Sequence, residues 1–255
     1  MPPSAVQIDP DDLIHPHHYG TKGVPHDVWT QLRKGSPVHW CEPSGHEPFW
    51  AITKHADIMD ISGRPEVFSN LQGPVIMSHE QLRDRRNPDN PLATFRTIIE
   101  MDPPEHRDFR KVASGFFTPR GVKRLDEIAA HSARALIDSL GEEGECDFVE
   151  KIAQRHPLRV LATLLGIDEA YEERVLYLTQ QLFASEDPDL QRKGEDRAAA
   201  QTQLGLEFFQ LFDRIVQDRR ANPRDDLATK LATGKLPDGT PMGPPETFGY
   251  YLIVF

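Results

Sequence analysis

Residues 101–122 read MDPPEHRDFRKVASGFFTPRGV. Asp102 suits a helix N-cap, because its carboxylate can accept the first free backbone N–H groups. Pro103 suits the first helical position, where its missing N–H goes unused. Glu105 follows three residues after the cap, as in a capping box. The stretch therefore predicts a helix from Pro103 onward. At about 100° per residue, with His106 at zero, Phe109, Val112, Ala113, Phe116 and Phe117 fall in one arc from roughly 240° round to 20°. That arc is the apolar face. His106 lies inside it, and Arg110, at roughly 40°, lies on its border, while Arg107, Asp108 and Lys111 point to solvent. Two side chains that can carry positive charge, one turn apart at the edge of an apolar face, call for a buried anionic partner. Either a protein carboxylate or a ligand that carries carboxylates into an apolar cleft meets that need.

The whole chain fits this picture. Its 255 residues allow one large domain or two small ones. Apolar residues make up 38% and charged residues 27%, the composition of an ordinary globular protein. Lys and Arg number 29 against 40 Asp and Glu, a net charge of −11, which argues against a nucleic-acid partner. The two cysteines, Cys41 and Cys146, are far apart and outside any C-x-x-C pair. They argue for a reducing compartment and against a disulfide or zinc scaffold. MPPSAVQIDPDDLIHPHH, residues 1–18, has neither a basic start nor an apolar core. A cytoplasmic protein without signal peptide or membrane anchor is expected.

Residues 1–25 read as an extended arm whose His15–His18 cluster is solvated rather than metal-binding, since it lacks one-turn helical spacing. A short helix fits Asp27–Lys34. Strands are expected at Val38–Glu42 and Phe49–Thr53, with a turn at Pro43–Pro48. A helix follows over Lys54–Gly63, stopped by Gly63 and Pro65. Residues 69–97 read as a long irregular loop. From Pro103 the pattern is nearly all helix. Leu125, Ile128, Ala129, Ser132, Leu136, Ile137 and Leu140 recur at three and four. Further helices carry Ile152, Leu158, Leu161, Leu164 and Leu165, then Val175, Leu178, Leu182 and Phe183. A long one from about Glu195 to Arg220 carries Leu204, Phe208, Leu211, Phe212 and Ile215. The chain closes on PPETFGYYLIVF, which starts as a helix and stops at Phe255 in mid-run. A finished domain seldom presents such a run to water, so the chain is expected to be cut short; a terminal helix docked on the core is the alternative.

With these pieces in order, residues 101–122 resemble the C-helix region of bacterial cytochromes P450. PVHWCEPSGHEPFWAITKHADIMDISGRPEVFSN, residues 37–70, is similar to that family's first sheet hairpin and B helix. HPLRVLATLLGID (156–168) resembles its E helix, NPRDDLATKLA (222–232) its H region and PETFGYYLIVF (245–255) the start of its I helix. The resemblance implies a mainly α cytochrome P450 fold, a helical haem domain with a small N-terminal β-sheet. It also implies that the fold is incomplete, being the N-terminal half to two-thirds of one domain. The segments are a 1–25 arm, 26–70 hairpin and B helix, a 71–102 substrate-side loop, and 103–255 helices C to the start of I.

The resemblance implies the remaining roles. The cofactor is haem b, whose two propionates would be held by His106 and Arg110. Arg suits carboxylates because its fork donates paired, charge-assisted hydrogen bonds. The family's haem-ligating cysteine lies in a glycine-rich loop near its C-terminus, and nothing like that loop surrounds Cys41 or Cys146. Cys146 falls where the family has a strand after its D helix. No catalytic residue or metal ligand is expected in this stretch, the thiolate lying beyond Phe255, and the 255 residues alone should be inactive. The intact protein would be a monooxygenase, hydroxylating a hydrophobic small molecule (terpenoid, steroid or fatty-acid-like) with O2. The pocket would be walled by Ile98, Ile99, Leu182, Phe183 and Ile253. Electrons would come from a small acidic iron–sulfur protein (a ferredoxin) or a flavoprotein, docking on Arg107, Lys111, Arg120, Lys123 and Arg124.

Two other classes stay open on the residues alone. One is a non-catalytic helical module gripping an acidic ligand through His106 and Arg110, or a non-functional gene fragment. The other, a metal-dependent hydrolase, lacks any helical His–His or Glu–His pair.

Overall fold

The computed structural model describes residues 6–88, 90, 96–142, 144–183 and 197–254, and the chain divides into two compact units, Met1–Ala93 and Thr94–Phe255.

The first unit begins with two short helices, α1 (Asp11–Ile14) and α2 (Pro16–Lys22), where an extended arm is expected. Pro16 occupies an opening position of α2 and the His15 ring caps it by accepting from His17 N–H. Asp12 draws the two helices together, its Oδ1 lying 2.6 Å from Lys22 Nζ and 2.7 Å from His18 Nδ1. The histidine cluster is thus part of a small folded element. α3 (His26–Gly35) leads into the hairpin β1 (Val38–Cys41) and β2 (Phe49–Ile52), in antiparallel register with Trp40 opposite Trp50. Alternation sends Cys41 to a buried face and leaves Trp40 and Trp50 on the other, their ring centroids 4.9 Å apart and the residues 44% and 58% exposed. α4 (His55–Ser62) ends at Gly63 as expected. The loop expected to be irregular holds a helix, α5 (His79–Arg85). Its start is a capping box: Ser78 Oγ accepts from Gln81 N–H at 3.2 Å and Gln81 Oε1 from Ser78 N–H at 2.8 Å.

The second unit opens with a 3₁₀ turn, Ile98–Glu100, then α6 (Glu105–Ser114) and α7 (Pro119–Ser139). Ile137, expected in the apolar repeat of α7, faces solvent. Cys146 lies on irregular chain, not on a strand. A π-helical segment, Val149–Ala153, precedes α8 (Arg155–Leu164), α9 (Glu172–Phe183) and α10 (Arg197–Ala221). Glu195, the expected start of this last helix, lies outside the described residues. α11 (Leu227–Ala232) and α12 (Pro244–Val254) complete the unit.

The core forms around α10, whose Leu204, Phe208, Leu211, Phe212 and Val216 recur at helical spacing and are all buried. Phe212 stacks on Tyr251 of α12 with centroids 4.7 Å apart. Phe248, Tyr250 and Tyr251 of the closing apolar run are buried on the core. A buried ion pair fixes the far end of α10. Arg219 Nε donates to Asp226 Oδ2 at 2.7 Å, its Nη1 pairs with Asp218, and its Nη2 donates to the Gly166 carbonyl at 3.2 Å. Gly166 adopts φ +64°, and a Cβ there would sit 2.1 Å from the guanidinium, so only glycine fits this turn. Among the described residues, no helix is long and apolar enough to cross a membrane.

Candidate cofactor site

The site is built on α6. The helix starts at Glu105 with Pro104 at its N-cap, and no side chain closes that cap. Asp102 therefore does not occupy the expected capping position. Its backbone carbonyl instead accepts from His106 N–H at 2.9 Å. The apolar arc holds for Phe109 and Ala113, which are buried, and for Val112 and Phe116, which are half-buried. Phe117 departs from it, at 47% exposure, because the helix has ended at Ser114.

His106 is half-buried and Arg110 is exposed, further from the core than its helical angle implies. Among the described residues, neither side chain has a hydrogen bond or salt bridge to a protein carboxylate. Arg107 and Lys111 are exposed, one turn apart, on the solvent side.

Two elements pack against this helix. The 3₁₀ turn touches both α6 and α12 and is tied to α6 by Arg96, whose Nη2 lies 3.0 Å from Glu105 Oε2. Ile98 is half-buried against the core and Ile99 is 42% exposed. Gly249 of α12 lets the turn come close: a Cβ there would lie 2.2 Å from the Arg96 carbonyl oxygen. Next to it, Tyr250 is buried, stacks on Phe109, and donates its hydroxyl to the Phe109 carbonyl. Burial pushes the Tyr250 pKa up to about 12, against the opposing pull of the Arg110 charge.

Of the expected pocket residues, Ile98 and Ile99 lie on the 3₁₀ turn, which packs on α6 and α12, and Ile253 is half-buried on α12. Leu182 is half-buried on α9, which packs on α8 and α10. The Phe183 side chain lies outside the described residues.

No family model matches the chain. Individual proteins do. Cytochrome P450-terp of Pseudomonas sp is 32% identical over 251 residues, covering 95% of this chain and 58% of that protein. Linalool 8-monooxygenase of Pseudomonas putida is 32% identical over 233 residues, covering 91% of this chain and 56% of the relative. The crystal structure of CYP108D1 from Novosphingobium aromaticivorans superposes with a TM-score of 0.81 at 29% identity, over 96% of this chain and 58% of that one. The chain belongs to the bacterial cytochrome P450 family. It spans little more than half the length of the curated relatives it matches.

Haem b is the cofactor of cytochromes P450. Its two propionates are carboxylates, and the donor set of α6 fits them. An imidazole and a guanidinium stand one turn apart beside an apolar face, with no protein acid taking up their donors among the described residues. The cysteines of this P450 chain are differently placed. Cys41 is fully buried in β1, and burial pushes its thiol pKa up. Cys146 is exposed.

The basic residues after α6 are not equivalent. Lys123 is exposed, whereas Arg124 is engaged by Asp225, its Nη1 lying 3.0 Å from Oδ2 and 2.8 Å from the carbonyl. The Arg120 side chain lies outside the described residues. Two features of this P450 escaped sequence reasoning. The Arg219–Asp226 pair joins residues whose other partner, Gly166, is remote in sequence. Tyr250 carried one signal, a polar tip inside an apolar run.

Proposed function

We propose that the intact protein is a haem-thiolate monooxygenase that hydroxylates a hydrophobic small molecule, and that His106 and Arg110 hold the haem propionates. The observation that carries this is the His106–Arg110 pair on α6, which has no carboxylate partner among the described residues, in a chain that belongs to the cytochrome P450 family. Arg110 would donate a guanidinium fork to one carboxylate and His106 a ring N–H to the other, fixing the cofactor against Phe109 and Ala113. Bound haem supplies the chemistry, activation of O2 and insertion of one oxygen atom into a C–H bond, with two electrons and two protons converting the other to water.

Ile98, Ile99, Leu182, Phe183 and Ile253 would line the substrate pocket, and their apolar character favours a terpenoid, steroid or fatty-acid-like substrate. The name of the linalool 8-monooxygenase relative points the same way. Neither cysteine would ligate iron. Cys41 is fully buried in β1, and nothing like the family's glycine-rich ligand loop surrounds either cysteine. The 255 residues would be part of one haem domain in the cytoplasm, inactive alone. A ferredoxin or flavoprotein would deliver electrons at a face centred on Arg107 and Lys111, whose charges are exposed.

The test is haem retention and the reduced, carbon-monoxide-bound spectrum of the intact protein. Arg110→Ala should lower haem occupancy well below that of Arg107→Ala, since it leaves a propionate without its donor. Equal occupancy in wild type and Arg110→Ala would overturn the clamp, and a wild-type spectrum without the thiolate band would overturn the enzyme class.

A further inference from the structure

We propose that Tyr250 is the positioning residue of the His106–Arg110 pair, its hydroxyl gripping the peptide that carries Arg110 and setting how the two donors are presented to a dicarboxylate. The proposal rests on the reading of that pair as the haem-propionate clamp.

The geometry is specific. Tyr250 is 5% exposed on α12 and donates its hydroxyl to the carbonyl of Phe109. That carbonyl and the N–H of Arg110 belong to one planar peptide unit. A bond to the carbonyl therefore fixes the plane from which the Arg110 side chain departs. Phe109 lies one turn after His106, so the same peptide controls the rotation of both donors about the helix axis. A carbonyl oxygen has two lone pairs, so it can take the tyrosine hydroxyl beside its helical partner.

The ring adds a second constraint. Tyr250 and Phe109 stack with centroids 6.5 Å apart and planes 16° from parallel. α6 has need of such a hold. It is ten residues long, and its N-cap, Pro104, offers no side-chain bond to its free N–H groups.

The experiment is equilibrium titration of the intact apoprotein with haem and with haem dimethyl ester, which lacks free carboxylates. The ratio of the two affinities reads the clamp alone. A role confined to packing would weaken both ligands equally and leave the ratio unchanged. Tyr250→Phe keeps the stacked ring and removes only the hydroxyl, and a thermal melt of the same sample verifies that it is folded. It should cut the preference for haem by about three- to ten-fold. On a background of Arg110→Ala with His106→Ala it should cut little further, because all three changes act through the clamp. An unchanged ratio in Tyr250→Phe, with a reduced ratio in Arg110→Ala, overturns the positioning role and leaves the clamp standing. An unchanged ratio in both Arg110→Ala and His106→Ala overturns the clamp and the tether together.

Discussion

Arg219 and Asp226 form a buried ion pair, Nε to Oδ2 at 2.7 Å, with Arg219 only 3% exposed. Asp226 also caps α11, accepting from Thr229 N–H at 2.8 Å. One carboxylate thus serves a helix start and the charge that anchors α10 to the Gly166 turn. Removing one partner of such a pair costs more than the pair contributes, because the other charge stays buried. Asp226→Asn keeps a capping side chain and loses the charge. It should lower stability by about 2–3 kcal/mol at neutral pH, read by denaturant unfolding.

The same carboxyl sets an acid limit. Burial pushes its pKa up, but hydrogen bonds from Thr229 and the charge and hydrogen bond of Arg219 outweigh that and hold it below the usual value. A folded-state pKa below the unfolded one means that the unfolded chain binds the proton first. The stabilisation is complete above the unfolded carboxylate value, about 4, and is lost as pH falls through the folded value. Melting midpoints measured between pH 6 and pH 2 should fall more steeply in wild type than in Asp226→Asn; parallel curves would count against it.

The two thiols should differ in reactivity. Cys146 is exposed and Cys41 is buried with a raised pKa. A thiol reagent at pH 8 should label one cysteine in the native protein and both after denaturation. Fast native labelling of Cys41 would contradict the packing of β1.

Close backbone approach should make Gly249 intolerant. Alanine there would bring its Cβ within 2.2 Å of the Arg96 carbonyl, so the 3₁₀ turn or α12 must shift. Overpacking of this kind costs about 1–3 kcal/mol. Gly249→Ala should show that loss in thermal unfolding, whereas Gly141→Ala, at an open turn with φ +60°, should cost only its backbone strain.

If Arg107 and Lys111 receive an acidic electron donor, reversing both charges should slow reduction and flatten its dependence on salt without changing substrate affinity. Stopped-flow reduction of Arg107→Glu with Lys111→Glu at two ionic strengths reads this, and unchanged rates would remove the face. Arg124 should contribute less than either, because Asp225 already engages it.

The parts legible in sequence were those set by local period. The alternation of β1 and β2, the apolar arc at Phe109 and Ala113, and the spacing of Leu204, Phe208 and Leu211 each follow from neighbours a few residues away. Boundaries were less legible. Two consecutive prolines delayed the start of α6 to Glu105, and its end at Ser114 released Phe117 to solvent. The S-x-x-Q signature at Ser78–Gln81 starts a helix inside surroundings rich in Gly, Pro and Asn, whose composition reads as loop. The Arg219 lock and the Tyr250 tether were hidden for a physical reason. Their partners meet only after the helices pack, and nothing in sequence spacing joins Tyr250 to Phe109.

The three tryptophans, Trp29, Trp40 and Trp50, all fall in the first unit, while α6 to α12 lie in the second. The tryptophan fluorescence of the chain, from Trp29 and the tilted, solvent-facing Trp40–Trp50 pair, is therefore a private signal of the hairpin unit. Ellipticity at 222 nm reports mainly on the helices beyond it. Followed together through one denaturation, the two optical signals measure how far the halves of this chain unfold as one.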